Sequence, residues 1–173
     1  LTGHRAQVYC VAFAPDGRTV VCGGGVYDDQ RHIYTGGEVK GWNTGTGEGQ
    51  FALALPLPVN GLAFSADGAF LAAGAGKIGR PGSVRVWDVR GPTAREAVVL
   101  GGPVDRVHDV AFSADGKRLA AATGDYLRAG KVQLWELPRG GPAGTLLGHA
   151  RGAQGVAFGP DGRLASSGED GSV

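Results

Sequence analysis

Val-Ala-Phe-Ala-Pro-Asp-Gly, residues 11–17, is a phrase that this chain of 173 residues repeats three more times. The copies share an aliphatic residue, Ala, Phe, two variable residues, Asp and Gly, and they occupy residues 62–68, 110–116 and 156–162. Successive copies begin about 50 residues apart, a period typical of proteins built from one repeated supersecondary unit. A second phrase, which contains Trp, lies between the copies at residues 39–43, 84–88 and 132–136. The sequence therefore predicts a series of similar structural units.

The repeated phrase has the pattern of a β-hairpin. Along residues 8–13 the side chains alternate, with Val11 and Phe13 on one face of a strand and Cys10 and Ala12 on the other. Pro, Asp and Gly then favour a turn, because Pro sets φ and Gly accepts a positive φ. Two further apolar runs follow each hairpin, so we predict four short antiparallel strands in each unit. No stretch has a sustained 3.6-residue apolar period, and no helix is predicted.

A four-stranded sheet with two apolar faces cannot bury both of them alone, whereas sheets stacked radially cover one another. The side chains best suited to fill the space between the sheets are Trp42, Trp87 and Trp135. Burying one aromatic side chain removes about 150–250 Å² from water, which corresponds to on the order of 5 kcal/mol. We therefore interpret the tryptophans as structural core residues rather than binding residues.

The connections between the second and third strands vary most from unit to unit. Residues 23–37, 74–82 and 123–130 are predicted as enlarged loops, whereas the fourth unit has only Gly-Glu-Asp-Gly. Because similar units superpose, the three loops should emerge side by side on one face, where a rigid scaffold would hold them for binding. Solvated loops without a function are the alternative. Tyr and Arg are frequent at the energetic centre of interfaces, and the candidate protein-binding residues are Tyr27, Arg31, His32, Tyr34, Lys77, Arg80, Asp125, Tyr126 and Arg128.

The composition argues against nucleic-acid and membrane partners. The formal net charge is +1, without the basic stripe that nucleic-acid binding requires. The longest apolar run, residues 51–59, is interrupted by Pro56 and Pro58 and is far shorter than the roughly 20 residues of a membrane-spanning helix. The sequence contains no Met, so the absence of a signal peptide carries no information about the compartment.

No catalytic, cofactor or metal site is predicted. Gly74, Gly76 and Gly79 match the spacing of the dinucleotide fingerprint, but that fingerprint requires a following helix, and a strand is predicted here. The four histidines occupy different positions in their units and lack metal-ligand spacing. The Asp residues of the repeated phrase are expected to be turn residues.

The two cysteines, Cys10 and Cys22, flank the first predicted hairpin. If residues 15–17 form a three-residue loop, Ala14 faces Arg18 and Cys10 faces Cys22 at a Cα separation of about 5.5 Å, within disulfide range. A bridge across two strands that are already paired would close a short loop and add little stability. We therefore expect two free, buried thiols.

Taken together, the phrases resemble the WD-repeat β-propeller family. The resemblance rests on the four repeated phrases, on Leu-Ala-Ser-Ser-Gly-Glu-Asp-Gly at 164–171, on Val-Arg-Val-Trp-Asp at 84–88 and on the Gly-His pairs at 3–4 and 148–149, and it covers essentially the whole chain. It implies an all-β fold made of β-propeller blades of four antiparallel strands. The expected blades cover residues 5–55, 58–101, 104–148 and, incompletely, 151–173.

Propellers of this family are closed rings of about seven blades, so the resemblance implies that residues 1–173 are part of a larger, here incomplete, ring. By itself such a fragment is expected to be marginally stable or self-associating, because an exposed sheet edge is a template for association. A sharp two-state melt of a monodisperse monomer would contradict this expectation. The remaining blades of its own propeller are therefore expected as a partner.

The family pattern also implies a structural hydrogen-bonded set in each blade, made of a His, a Ser or Thr, an Asp and the Trp. In the fourth unit His149, Ser166 and Asp170 occupy the matching positions, although no Trp follows. In the other units the Ser position holds Cys22, Ala73 and Ala121. Those blades are expected to depend on apolar packing instead.

The predicted function is that of a non-catalytic scaffold that binds a protein or peptide partner on the face carrying the enlarged loops, without a cofactor. The alternative is a regulatory or sensor propeller domain of a larger enzyme, for example a signalling protein, whose catalytic part lies outside this chain. A propeller hydrolase with its site at the channel mouth is a third hypothesis. It is weaker because the predicted inner strands supply few titratable groups beyond His108 and Asp109.

Overall fold

A computed structural model of the chain describes residues 1–4, 7–101, 105–125 and 128–173. These residues form fourteen β-strands. No helix in the described residues is long and apolar enough to span a membrane. The strands are β1 (Val8–Phe13), β2 (Thr19–Asp28), β3 (Ile33–Asn43), β4 (Gly49–Leu55), β5 (Val59–Phe64), β6 (Phe70–Lys77), β7 (Arg80–Asp88), β8 (Arg95–Leu100), β9 (Val107–Phe112), β10 (Arg118–Asp125), β11 (Arg128–Glu136), β12 (Gly141–Leu147), β13 (Ala153–Phe158) and β14 (Leu164–Gly168).

The strands form antiparallel sheets in sequence order. Strands β1–β4, β5–β8 and β9–β12 make three four-stranded sheets, and β13 and β14 make a two-stranded fourth. The first strands of successive sheets contact one another, so that β1, β5, β9 and β13 form the inner edge. The sheets therefore stack radially like propeller blades and do not close into a ring, which confirms the predicted fold class.

The repeated Asp-Gly phrases form the predicted turns. Gly17, Gly68, Gly116 and Gly162 all have positive φ, between 68° and 80°. In the second turn the Ser65 hydroxyl donates to Asp67 Oδ1 at 2.6 Å, and the Ala69 amide donates to the same oxygen. The pKa of Asp67 is lowered chiefly by the hydrogen bond from Ser65. These aspartates are accordingly turn residues, as predicted.

The first hairpin has a different register from the predicted one. The Ala14 amide donates to the Thr19 carbonyl, so the loop between these two paired residues contains four residues, 15–18, rather than the predicted three. The additional residue is Arg18, whose amide donates to Asp16 Oδ1 at 2.9 Å and is thereby held in the turn. Cys10 consequently lies opposite Gly23, and Cys22 lies opposite Val11. The predicted pairing of the two cysteines is wrong.

Both cysteines are free thiols, and each is partly rather than fully buried. Cys10 points toward the second sheet, where its Sγ lies 3.7 Å from the Val59 carbonyl oxygen. Burial raises the pKa of Cys10 to about 12. The Cys10 side chain therefore serves as a packing group between the sheets.

The connections predicted as loops are mostly paired strand. In the first sheet the ladder between β2 and β3 continues to the pair Asp28 and Ile33, so only residues 29–32 are unpaired. The ladders of the next two sheets continue to the pairs Lys77–Arg80 and Asp125–Arg128. The prediction failed because glycine usually indicates a turn, whereas a glycine inside a strand permits another segment to approach closely.

Such a close approach recurs five residues before each Trp. A Cβ atom at Gly37, Gly82 or Gly130 would overlap the main chain that leads into the first strand of the next sheet. The amides of Gly82 and Gly130 donate to that main chain, to the carbonyls of Asp105 at 3.2 Å and Arg151 at 3.0 Å. Direct main-chain contact therefore sets the spacing of successive sheets at this point. We call these three residues the spacer glycines.

The hydrophobic core is divided into three clusters that lie between successive sheets. Trp87 is 4% exposed and packs in the cluster that joins the first two sheets, together with Val39 and Leu71. Trp135 packs in the next cluster, and a smaller cluster joins the third sheet to β13. Trp42 is also buried, and its ring lies against that of His4 at a centroid distance of 5.4 Å.

The two faces of the first sheet are covered differently. Val11 and Phe13 are 61% and 65% exposed, whereas Cys10 and Ala12 pack toward the second sheet. In the second sheet Leu62, at the position of Val11, is 8% exposed, and Phe64 packs against the first core cluster. One apolar face of the first sheet is thus open at its inner strand, β1, in this structure.

Candidate functional site

The hairpin ends that carry the candidate binding residues lie on one side of the stacked sheets. The β2–β3, β6–β7 and β10–β11 connections form this side, which we call the loop-bearing face. The Asp-Gly turns lie at the other end of the strands, on what we call the turn-bearing face. Because consecutive strands are antiparallel, the two sets of connections lie at opposite ends of the strands and so on opposite faces.

A cluster of three tyrosines lies at the β2–β3 hairpin of the loop-bearing face, with Tyr9 contributed by the inner strand β1. Tyr27 and Tyr34 are a cross-strand pair of β2 and β3, and their rings meet edge to face with centroids 5.1 Å apart. The Tyr9 hydroxyl donates to the Tyr34 hydroxyl at 2.5 Å, and the Tyr34 hydroxyl donates to Gln7 Oε1 at 3.0 Å. Partial burial, followed by the hydrogen bond with Tyr34, raises the pKa of Tyr9 to about 12. The Tyr34 ring is therefore held in one position.

Two further residues fix the tyrosine cluster. A Cβ atom at Gly25 would lie 2.5 Å from Tyr34 Cδ1, so only a glycine lets the Tyr34 ring lie against β2. From the second sheet, Lys77 Nζ lies 6.0 Å from the centroid of the Tyr34 ring, at the outer limit of a cation–π contact. The cluster therefore spans the first and second sheets.

Arg31 and His32 lie at the tip of the β2–β3 hairpin, apart from the tyrosines. Asp28 Oδ1 accepts hydrogen bonds from the amides of Gln30 and Arg31, both at 3.0 Å, which closes the tip. His32 takes a left-handed conformation with φ of 53°. Both side chains are exposed, and the structure does not bring them into contact with the other candidates.

Three other candidates, Arg80, Asp125 and Arg128, line a charged cleft between the β6–β7 and β10–β11 hairpins. The cleft has a volume of about 410 Å³, and its walls include Ile78, Arg80, Asp105, Arg106, Asp125 and Arg128. Arg128 and Lys131 both approach Asp105, with N–O distances of 3.7 and 3.8 Å. Tyr126, the remaining candidate, lies outside the described residues. The structure thus brings Arg80, Asp125 and Arg128 together, as their placement in equivalent loops suggests.

An irregularity in each inner strand singles out a set of four residues, of which only His108 was named from the sequence. The ladder shifts register four residues before each repeated Phe, at Tyr9, Asn60, His108 and Gln154. Asn60 Nδ2 donates to the carbonyls of Gly76 and Val107, and Gln154 Nε2 donates to Glu169 Oε1. The signal was present, since a polar residue recurs there in all four units. Bulges commonly redirect side chains next to functional sites.

His108 and Asp109, the residues that a hydrolase would need, have structural partners. His108 Nε2 donates to the Gly124 carbonyl at 3.0 Å, and burial lowers the pKa of His108. The two carboxylate oxygens of Asp109 accept from the amides of Val110 and Val156. This carboxylate therefore joins the third sheet to the fourth. In the described ranges no three His, Cys, Asp or Glu side chains are grouped so that they could hold a metal ion.

The residues assigned to the structural hydrogen-bonded set of the fourth unit lie together. His149 Nε2 is 2.9 Å from Ser166 Oγ, and His149 Nδ1 is 3.2 Å from Asp170 Oδ1. The other Asp170 oxygen accepts from the Ala150 amide at 2.6 Å. The pKa of Asp170 is lowered, most strongly by the hydrogen bond from Ser172.

In the first unit a different residue accepts the hydrogen bond of the histidine. His4 Nδ1 lies 2.9 Å from Glu38 Oε1, and Lys40 Nζ lies 3.4 Å from Glu38 Oε2. Glu38 is buried and lies four residues before Trp42 on β3. In this unit an acidic residue inside a strand thus takes the place of the Asp that the family pattern implies.

The radial stack of four-stranded antiparallel sheets defines this chain as β-propeller blades, and comparison with known sequences agrees. A family model described as "WD domain, G-beta repeat" matches residues 1–38, 54–88, 96–136 and 140–173. The chain belongs to the WD-repeat family. Protein binding is the usual role of this family, whose repeats are not catalytic domains.

A curated relative shows the same similarity over part of its length. The coronin-like protein of Saccharomyces cerevisiae (strain ATCC 204508 / S288c) is 33% identical over 103 residues, which make up 60% of this chain and 13% of the relative. The chain thus spans only a small part of this relative.

Proposed function

We propose that this chain is an interaction scaffold that binds a protein or peptide partner on its loop-bearing face. The supporting observation is the contact between Lys77 of the second sheet and the ring of Tyr34 of the first. Solvated loops without a function would not be expected to contact one another across sheets. Here the hairpins are paired strands that present aromatic and cationic groups on one surface.

The tyrosine cluster is suited to recognition because it is organised before a partner binds. The Tyr34 ring is held by contacts with Tyr9 and Tyr27, and the lack of a side chain at Gly25 leaves room for it against β2. Ordering a side chain on binding costs about 0.5–1.5 kcal/mol, and that cost is already met for Tyr34. Tyrosines held in this way are typical of the energetic centre of an interface.

The surface assignment is tested by capturing native partners with two matched variants. Replacing Tyr27, Arg31 and Lys77 together by Ala should lower partner capture from lysate of the cells that make the protein by roughly tenfold, because these side chains are presented to the partner. The control replaces Arg18, Arg90 and Arg163, exposed residues of the turn-bearing face, by Ala. Full capture by the loop-face variant, or an equal loss in the control, would exclude the assignment.

The alternative of a regulatory propeller within a larger enzyme stays a prediction. It does not conflict with the scaffold proposal, because a regulatory domain would also bind its partner through an exposed face. The complete open reading frame distinguishes the two: a catalytic domain encoded in the same frame would favour the alternative.

We also propose that further blades of the same propeller cover the open face of the first sheet. The support is internal, since Val11 is exposed where Leu62 of the next sheet is buried. Two apolar side chains of this size are worth about 1.5–3 kcal/mol each when fully buried. A neighbouring sheet would bury them in the same way as the second sheet buries Cys10 and Ala12.

Hydroxyl-radical footprinting tests this second proposal. In the protein expressed from its complete reading frame, oxidation of Phe13 should fall to the level of Phe112, which packs against a core cluster. In residues 1–173 alone, Phe13 should react several-fold faster than Phe112, as its 65% exposure indicates. Tyr27 of the loop-bearing face is the control and should react equally in both proteins. Equal Phe13 oxidation in the two proteins would refute the proposal.

A further inference from the structure

We propose that the cleft between hairpins β6–β7 and β10–β11 binds an acidic peptide segment, with Arg106 as its anchor and Arg80 as a second contact. This inference rests on the proposed function, because it assigns a ligand chemistry to the same face. Arg106 was not among the residues singled out from the sequence. It precedes β9 and lines the cleft together with Arg80 and Arg128.

The hydrogen-bonding capacity of Arg106 is largely unused. Its Nε is buried and has no hydrogen-bond partner in the part of the chain that the structure describes. Its Nη2 makes one long hydrogen bond, 3.4 Å, to Asn60 Oδ1. A guanidinium group has five donors and binds a carboxylate best through two parallel hydrogen bonds. A carboxylate that approaches the Nε and Nη2 side of Arg106 would supply the missing acceptors.

The neighbouring charges leave a positive surplus in the cleft. Asp105 is shared by Arg128 and Lys131. Within the described residues, the Arg80 guanidinium forms neither an ion pair nor a hydrogen bond, so its charge is available to a ligand. Burial is the main cause of the lowered pKa of His108, and the nearby charge of Arg106 contributes in the same direction. Among the described residues the Arg106 guanidinium makes no ion pair, and its one side-chain hydrogen bond goes to the uncharged amide of Asn60.

Asp125 makes a peptide a better ligand than a simple anion. Its Oδ1 is buried and has no donor among the described residues. A backbone N–H beside an acidic side chain would satisfy this oxygen after a small rotation of Asp125, whereas inorganic phosphate at neutral pH would be repelled by it. The wall of the cleft also contains Pro81 and the half-exposed Ile78, which suit an apolar neighbour of the acidic residue. Nucleic acid fits less well, because its phosphate backbone has no N–H group to donate to Asp125.

The proposal is tested with a fluorescein-labelled, terminally blocked peptide of sequence Gly-Leu-Asp-Glu-Leu-Asp-Gly. Its control has Asn and Gln in place of Asp and Glu. By fluorescence anisotropy at about 50 mM salt, where screening of the cleft is modest, wild-type protein should bind the acidic peptide roughly tenfold more tightly than its control. Arg106→Gln should abolish most of this difference, as expected when a bidentate contact is lost. Arg80→Gln should have a smaller effect.

Matched variants and a competitor make the outcome decisive. Arg18→Gln alters an exposed arginine of the turn-bearing face and should leave binding unchanged, and unchanged thermal melts should show that all variants are folded. Equal affinity for the two peptides, or an equal loss with Arg18→Gln, would overturn the proposal. Full competition by inorganic phosphate at the same concentration as the peptide would overturn the peptide assignment and leave an anion site.

The result is separable from that of the partner-capture experiment, whose variant leaves the cleft residues intact. Suppose that the acidic peptide and its control bind equally while the Tyr27, Arg31 and Lys77 variant still loses its partner. The loop-bearing face is then the binding surface, and the proposed acidic ligand is wrong. If the acidic peptide requires Arg106 while that variant captures its partner normally, the cleft site stands and the tyrosine surface does not.

Discussion

Trp87→Ala is expected to lower the free energy of unfolding by about 3–5 kcal/mol. The indole is 4% exposed and fills the space between the first and second sheets, so its removal leaves a cavity lined by Val39 and Leu71 that the two sheets cannot close. Because the stability of a domain is typically about 5–15 kcal/mol, this change removes a large part of it. Urea denaturation followed by far-ultraviolet circular dichroism measures the effect.

Phe13→Ala is the matched control for this variant. Phe13 is as apolar as a core residue but is 65% exposed on the open face of the first sheet. Its loss should change the unfolding free energy of residues 1–173 by no more than about 0.5 kcal/mol. If Trp87→Ala cost no more than this control, the tryptophan would not be the side chain that joins the sheets.

Gly130→Ala is expected to destabilise the chain by about 3 kcal/mol or more, although it adds only one methyl group. The new Cβ would overlap the amide nitrogen of Ala153 and the carbonyl of Arg151, and main-chain atoms cannot rotate out of the way. The variant should therefore push β13 away from the third sheet. Hydrogen exchange should become faster at the Val156 amide, which otherwise donates to Asp109 across this boundary.

Gly141→Ala provides the corresponding control. No atom lies within 4 Å of the position its Cβ would take. The substitution should leave the stability unchanged or raise it by about 0.4–1 kcal/mol, because alanine restricts the unfolded chain. Similar unfolding free energies for the two alanine variants would show that the sheets are not held in main-chain contact at Gly130.

Much of the fold could be predicted from the repeated phrases, because each phrase contains both the alternating pattern of a strand and the residues of a tight turn. The strand β1 covers the residues 8–13 whose side chains alternate, and the turn glycines have the predicted positive φ. The extensions of the β2–β3, β6–β7 and β10–β11 hairpins were missed because their glycines give no apolar pattern. The use of glycine there depends on the main chain of the next sheet, which packs directly against them. The register of the first hairpin was wrong by one residue because a hydrogen bond to Asp16 decides whether Arg18 belongs to the turn.

The candidate surface could be predicted only in part. Tyr27 and Tyr34 were found because they lie in an enlarged connection of a repeat. Tyr9 and Arg106 were not, because they belong to an inner strand and to the segment before one, and only the stacking of sheets brings them to the hairpin ends. The role of Gly25 depends on the position of a ring nine residues away in sequence, which no local pattern reveals.

The spacer glycines have a consequence for how such a chain can grow. Each unit carries its own main-chain contact to the next. A tandem copy of one unit would therefore already contain the glycine that sets its distance from the neighbouring sheet. No compensating substitution in the older units would be needed for the copies to stack. The hairpin ends would then be free to diverge, so that new binding specificities could arise on a scaffold whose geometry is inherited unit by unit.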